Sequence, residues 1–281
     1  MILGRRRRTS EDPREALRDL LGDYELPSFP AVIAEAVERI TDPDAPLRDV
    51  ADVVQQDPGL SVHLLRTVNS MAFAPRTAIT TVHQAATMLG RNALESTLIT
   101  FATKSAVDAS SSSGFDRNGF WAAAAQRAAI AAELATHVDP ARRSDNFTAA
   151  LLQDMAIPVL VSVEESYAEL LERWTREGGD LAALEDERFA WTHGSIAELM
   201  CAAWGFPESL IESVAGHHEP VDPQDVLVPA KLMSMVAQSA TPAHDELVMR
   251  IAEVYQLDEQ VAGEIVRTGV EQGREVAQIL K

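Results

Sequence analysis

Apolar residues along this chain recur at the spacing of one helix face almost everywhere. Val32, Ile33, Ala36, Val37 and Ile40 fall at i, i+1, i+4, i+5 and i+8, and Leu60, Leu64, Leu65 and Val68 at i, i+4, i+5 and i+8. Proline and aspartate punctuate these runs. Pro30 opens one helix and Asp42-Pro43-Asp44 closes it; Pro46 opens the next, and Asp57-Pro58 starts a third after a tight turn. Period-two alternation is not sustained anywhere. The β-branched cluster Thr77 to Val82 leads into a helix over His83 to Leu89 instead of forming a strand. The pattern predicts an all-α fold.

The main break is Asp108 to Gly114, Asp-Ala-Ser-Ser-Ser-Ser-Gly, whose small polar residues build no core and mark a loop between two helical lobes. Heavy apolar faces flank it, with Leu94, Leu98, Ile99 and Phe101 before and Phe120, Trp121 and Ile130 after. Those faces must be covered, which predicts a substantial contact between the lobes. The expected organisation is a basic tail and leading helix over 1–23, an N-terminal lobe over 24–109, a second lobe over 114–240 and a helical extension over 241–281. In the extension, Val261, Ile265, Val266, Val270, Val276 and Ile279 predict a terminal helix or helix pair packed on the body. No fixed-period repeat is present, which argues against a solenoid.

Composition narrows the functions. With 281 residues and 46% hydrophobic content the chain can bury one sizeable core or two smaller ones. Its net charge of −19 repels phosphate backbones and anionic membrane surfaces, so nucleic acid and membranes are not expected partners. The basic run Arg5 to Arg8 reads as a solvated tail, or more sharply as a short anion-docking arm. Cys201 is the single cysteine, so no intrachain disulfide forms and a reducing cytoplasm is the expected location. Met1 to Gly4 is too short for a signal-peptide core, and no apolar run of about 18 residues stands out to cross a bilayer. Pro46 to Ser70 has the rhythm of a helix-turn-helix, but His63 and Arg66 beside Asp49 and Asp57 are too few for phosphate anchoring, and core helices fit better. The pairs Asp52/Asp57 and Glu164/Glu165 read as exposed helical acids. No nucleophile elbow, Walker loop or dinucleotide fingerprint occurs.

Several motifs in register resemble one family. They are Leu26-Pro27-Ser28-Phe29-Pro30, then Gln56-Asp57-Pro58-Gly59-Leu60-Ser61, then Leu64 to Ser70, then Thr80 to Gly90. Trp191-Thr192-His193-Gly194, Trp204-Gly205-Phe206-Pro207 and Gly216-His217-His218-Glu219-Pro220 follow in order. Together these resemble the HDOD family, bacterial signalling modules related to the HD and HD-GYP phosphohydrolases. The resemblance implies an all-helical regulatory module, generally without demonstrated hydrolysis, whose second lobe is a degenerate HD-type bundle and whose partners are signalling or regulatory proteins.

Mapped onto this chain, the resemblance puts the first metal-binding histidine of the catalytic relatives at Ala123, the His-Asp pair at Gln153 and Asp154, and a closing aspartate near Met235. Three of the four ligands of a first metal are then absent, and with them the means to polarise a phosphoryl oxygen or acidify a bound water. No catalytic residue and no resident cofactor are expected. A second set, Asp154, His193, His217 and His218, corresponds to the other metal position of HD-GYP enzymes and suits at most one weakly held transition ion. As purely structural groups, His217 and His218 would sit past a helix end whose dipole favours imidazolium, and His193 at a helix start where its ring accepts from free N–H groups. No basic residue is visible beside this set. The expected function is a non-catalytic signalling scaffold. The alternatives are a residual metal-dependent hydrolase of cyclic dinucleotides or other phosphoesters using those four residues, and a DNA-binding regulator.

Overall fold

Among the residues that the computed structural model describes, 12–22, 24–70, 77–110, 114–222, 227–235 and 244–281, every regular element is helical, as the periodicity requires. The first half holds α1 (Pro13–Leu21), α2 (Ala31–Thr41), α3 (Leu47–Val54), α4 (Pro58–Val68) and α5 (Val82–Ser110). The second holds α6 (Arg117–Val138), α7 (Arg143–Leu152), α8 (Ile157–Val163), α9 (Glu165–Glu177), α10 (Leu181–Phe189), α11 (His193–Ala203), α12 (Glu208–Ala215) and α13 (Val228–Leu232). Single 3-10 turns lie at Pro140–Arg142 and Met233–Met235, and α14 (His244–Tyr255) and α15 (Glu259–Ile279) complete the chain. The arginine run at Arg5 to Arg8 lies outside the described residues.

Local chemistry sets the helix ends where the punctuation put them. The Asp57 carboxylate accepts the Leu60 N–H at 2.8 Å with Pro58 in the first helical position, and Asp116, Asp180 and Asp258 cap α6, α10 and α15 in the same manner. Gly90 breaks α5 at φ 72°, ψ 179°, a conformation that favours glycine, so the helix predicted to end at Leu89 does end there and a second segment continues to Ser110. Asn69 clips the segment after α4, donating to and accepting from the Ile79 backbone at 2.8 Å each.

That second segment of α5 joins the two halves. Helix α5 as a whole packs on α2, α3 and α4 of the first half and on α7 and α8 of the second, and its second segment buries Leu94, Leu98 and Ile99. Across the Asp108 to Gly114 loop, of which 111–113 lie outside the described residues, Trp121 Nε1 donates to Asp108 Oδ1 at 2.8 Å. A second junction explains two of the sequence motifs. Trp204 Nε1 donates to the Pro27 carbonyl at 3.0 Å, and the Phe29 ring lies 5.0 Å from Trp204 and 6.0 Å from Phe206. Arg14 of α1 donates to the Leu26 and Ala203 carbonyls at 3.3 Å each. The entry motif therefore docks on the Trp-Gly-Phe-Pro motif of the other half.

Two readings are sharpened. His63 of α4 is buried against Phe101, with ring centroids 4.8 Å apart, which removes one of the two basic groups a DNA-reading helix would present. Contrary to the expectation that no membrane-length apolar run exists, an 18-residue window within Pro140–Val163 reaches a mean hydropathy of 1.4; 78% of that window is buried inside the fold, so its apolar residues serve α7 and α8 as core.

The C-terminal extension is a single long helix, α15, preceded by α14. It lies along α6 so closely that a Cβ on Gly269 would stand 2.5 Å from Ile130 Cα, and one on Gly273 2.6 Å from Gln126 Cα. Gly263 on the same helix has open space. Opposite effects follow for one chemical change. Gly273→Ala and Gly269→Ala must push two backbones apart and are expected to cost about 1–3 kcal/mol. Gly263→Ala is expected to stabilise by about 0.5–1 kcal/mol through helix propensity. Urea denaturation of the three variants checks the signs; a neutral Gly273→Ala would show that α15 is loosely seated.

Candidate functional site

Five helices and the chain after α12 converge on Asp154. The turn that follows α7 carries the aspartate, which is almost fully buried. Helix α6 contributes Arg127, the sole charged residue between Arg117 and Glu133 in a run of alanines and 1% exposed. The alanines let neighbouring helices approach α6 while the one long side chain reaches inward. Arg127 Nη2 stands 2.6 Å from Asp154 Oδ2, an ion pair, yet none of the three guanidinium nitrogens makes an aligned hydrogen bond among the described residues. The two observations agree if the contact is one of charge and not of direction.

The other carboxylate oxygen faces the histidines. His193 Nε2 lies 3.3 Å and His217 Nε2 3.5 Å from Asp154 Oδ1. His193 Nε2 is in turn 3.1 Å from His217 Nε2 and 3.0 Å from His218 Nε2. Local structure fixes these rings. Thr192 and Ser195 form a reciprocal capping box at the start of α11, so the first-turn N–H groups are served without the histidine. His193 instead donates, from its backbone N–H at 2.8 Å and from Nδ1, to the Glu185 carboxylate of α10. Tyr167 of α9 donates its hydroxyl to Glu185 Oε1 at 2.5 Å. His217 Nδ1 donates to the Val214 carbonyl at 2.7 Å. Gly194 permits the approach, because a Cβ there would meet the Ala215 carbonyl at 3.0 Å.

Electrostatics follow from this geometry. Burial works against the Asp154 carboxylate, but the Arg127 charge, and after it the hydrogen bond from His193, outweigh it and hold its pKa well below the usual range. Burial also works against a charged His193; hydrogen bonds to Asp154 and Glu185, and their charges, overcome it and hold the pKa up to about 9. Burial dominates at the other two rings, with His217 lowered and His218 pushed down to about 3 with help from its imidazole neighbours. The expected helix-dipole imidazolium at His217 and His218 is therefore corrected: both are neutral at physiological pH, and the charged ring is His193. The expectation that its ring accepts from helix N–H groups is corrected too, since it donates. The expectation of no basic neighbour falls to Arg127.

With Nδ1 of His217 committed to a carbonyl, its Nε2 presents a lone pair to the centre of the cluster. Imidazole nitrogens at 3.0–3.1 Å need a proton or a cation between them. Asp154, His193, His217 and His218 each offer one donor atom, all within 4.8 Å of one another, and the Glu185 and Val214 contacts orient two rings as outer-shell partners orient metal-bound histidines. The donor set fits one transition ion, which would supply Lewis acidity at this point. At the positions assigned to a first metal, Ala123 is half-buried on α6, and Gln153 is buried with neither amide atom partnered among the described residues. Met235 ends the second 3-10 turn, and its side chain lies outside the described residues.

Sequence reasoning missed Arg127, Glu185 and Tyr167. For Arg127 a signal existed: it follows Ala123 by one helical turn, which puts both on one face, and it stands alone among alanines. For Glu185 there was none in a chain with 43 acids.

The HDOD domain profile matches residues 26–220. An uncharacterized protein of Treponema pallidum (strain Nichols) is 24% identical over 199 residues, or 69% of this chain and 38% of that protein, so the chain spans well under half of this relative. A candidate phosphohydrolase from Shewanella amazonensis SB2B superposes with a TM-score of 0.76 at 23% identity, over 94% of this chain and 98% of that one. An HDOD domain protein with unknown function from Geobacter sulfurreducens gives 0.76 at 18% identity over 96% and 97%. A candidate signal transduction protein from Marinobacter aquaeolei VT8 gives 0.69 at 19% identity, over 94% of this chain and 61% of that one. At these identities the structures agree in fold, and nothing more is carried across.

Removing Arg127 tests the ion pair. Arg127→Met leaves the Asp154 charge buried beside His193 alone and is expected to cost about 3 kcal/mol. Pairing it with Asp154→Asn should recover a good part of that loss. Chemical denaturation of both singles and the double closes the cycle; additive losses would mean that the two side chains do not interact.

Proposed function

The chain belongs to the HDOD domain family, and from that premise we propose that it is a non-catalytic regulatory module that acts by binding signalling or regulatory proteins through its helical surface. The observation that carries this reading is Arg127 on Asp154 Oδ2. In the resemblance to the catalytic relatives, a first metal would share Asp154 with donors at Ala123, Gln153 and near Met235. A guanidinium there supplies positive charge but has no vacant coordination position. It neither polarises a phosphoryl oxygen as a Lewis acid nor acidifies a bound water. Two-ion phosphoester hydrolysis lacks one of its ions on this reading.

A second reading rests on its own observation. The four donors of Asp154, His193, His217 and His218 converge and two are held from behind, which favours a single-ion hydrolase. The DNA-binding reading has no such support, with a net charge of −19 and His63 buried.

Elemental analysis of protein purified without an affinity tag, followed by assay on cyclic dinucleotides and generic phosphoesters with added Zn²⁺ or Mn²⁺, separates the two. The expected result is substoichiometric metal and no turnover above buffer. Gln153→His alone is expected to remain inactive, because Ala123 still offers no donor. Near-stoichiometric metal with turnover that disappears in His217→Ala would replace the scaffold by the single-ion enzyme.

A further inference from the structure

A cavity of about 80 Å³ lies where α4, α5, α6, α7 and α15 meet, and none of the histidine-cluster residues lines it. By volume it exceeds the roughly 10–15 Å³ that one water requires, falls short of the roughly 150 Å³ that takes benzene, and so suits a ligand on the order of four heavy atoms. Most of the wall is apolar, including Ala129 and Ala132 of α6 and Val276 of α15.

Most of its polar side chains, Thr67, Ser96, Thr97 and Gln272 among them, already have partners, but three keep donor capacity in hand. Thr100, 4% exposed, has a hydroxyl with no hydrogen-bond partner. A helical threonine ordinarily returns its hydroxyl to the carbonyl one turn back, as Thr97 does to Ala93 at 2.7 Å and Thr67 does to His63 at 3.0 Å. Thr100 does not. His63, 9% exposed, makes a ring contact with Phe101, and neither of its nitrogens has a hydrogen-bond partner among the described residues. Burial, then the charges of Lys104 and Arg66, push its pKa down to about 4, so it offers a neutral N–H at physiological pH. Arg143 completes the set. Its Nε donates to Thr136 Oγ1 at 3.2 Å, and no carboxylate among the described residues pairs with it. In a chain with 43 acidic residues, not one Asp or Glu lies in the described wall. A buried hydroxyl without a partner calls for an unseen one, and beside it a half-buried guanidinium and an imidazole around a wall free of carboxylates call for an acceptor that carries negative charge and a short apolar body.

We propose that this cavity is a binding site for a short-chain carboxylate, its head group accepting from Arg143, Thr100 and His63 and its alkyl end against Ala129, Ala132 and Val276. The walls come from both halves and from α15, so the bound ligand ties all three together. The proposal goes beyond the regulatory reading and stands whether or not the histidine cluster binds metal.

The test titrates the full chain with sodium acetate, propionate and butyrate, using sodium chloride at matched ionic strength and n-propanol as controls. Proton NMR of the His63 ring and the thermal midpoint are the readouts. A saturable His63 shift with carboxylates alone is expected, with its pKa rising from about 4 because the anion lies beside it. Thr100→Val is isosteric and keeps the fold, and should weaken binding by about tenfold, the worth of one hydrogen bond to a charged group. Arg143→Gln should weaken it at least as much, and Ala132→Leu, which fills the cavity, should abolish it. A His63 shift that follows chloride equally, or that never saturates, means that the cavity holds only water and overturns the proposal. Saturable binding unchanged in Thr100→Val and Arg143→Gln would place the carboxylate elsewhere and overturn it as well.

Discussion

A carboxylate buried at the meeting point of five helices is the constraint on which the rest of this structure depends. Asp154 cannot sit in the interior uncompensated, since an unpaired buried charge costs more than a domain can carry. Arg127 takes one of its oxygens at 2.6 Å and the protonated His193 faces the other at 3.3 Å. Compensation by His193 requires in turn a second carboxylate, Glu185, and Glu185 requires Tyr167. One buried charge thus commits α6, α9, α10 and α11 to a fixed arrangement. The guanidinium lacks aligned hydrogen bonds, so the pair is better understood as specifying where α6 must lie than as a source of stability.

The position of α6 is then set twice. From within it is held by Arg127, and from outside by α15, whose Gly269 and Gly273 press against Ile130 and Gln126. Gln126 is the residue next to Arg127. A large part of the packing on α6, including the close approach beside the arginine-bearing turn, therefore comes from a helix beyond residues 26–220, where the family match ends. The first half reaches the same centre by another route, through α5 on α7 and α8 and through Phe29 on Trp204 and Phe206. A structure tied in this way shares one core between its halves.

Much of this was legible in the sequence because burial has a period. A helix that must hide one face writes that face every three to four residues, and proline and aspartate mark its ends for reasons confined to a few neighbouring atoms. The helices from Ala31 to Val68, the break at Gly90 and the coverage of Leu94 and Leu98 could all be read on those grounds. The charge partners could not. Arg127 meets Asp154 across 27 residues and Glu185 meets Tyr167 across 18, and no local pattern encodes which turn of one helix will face which turn of another. The histidines were legible as a cluster, but their protonation was not. It is decided by burial, by the Val214 carbonyl and by Glu185, and these reversed the expectation drawn from helix ends.

Retention of three histidines and a supporting glutamate beside an arginine has a charge argument of its own. With Arg127 and His193 positive and Asp154 and Glu185 negative, the buried cluster is neutral as it stands. A divalent ion at the histidines would expel the proton from His193 Nε2 and leave the interior one unit positive. Without the arginine the same exchange would leave it neutral. Arg127 therefore opposes an ion that the four donors otherwise suit, and a proton on His193, held by a pKa of about 9, can occupy the place between the nitrogens instead. The geometry of a metal centre and the electrostatics of a closed hydrogen-bonded core coexist here. The side chain that decides between them is a single guanidinium contributed by an alanine helix.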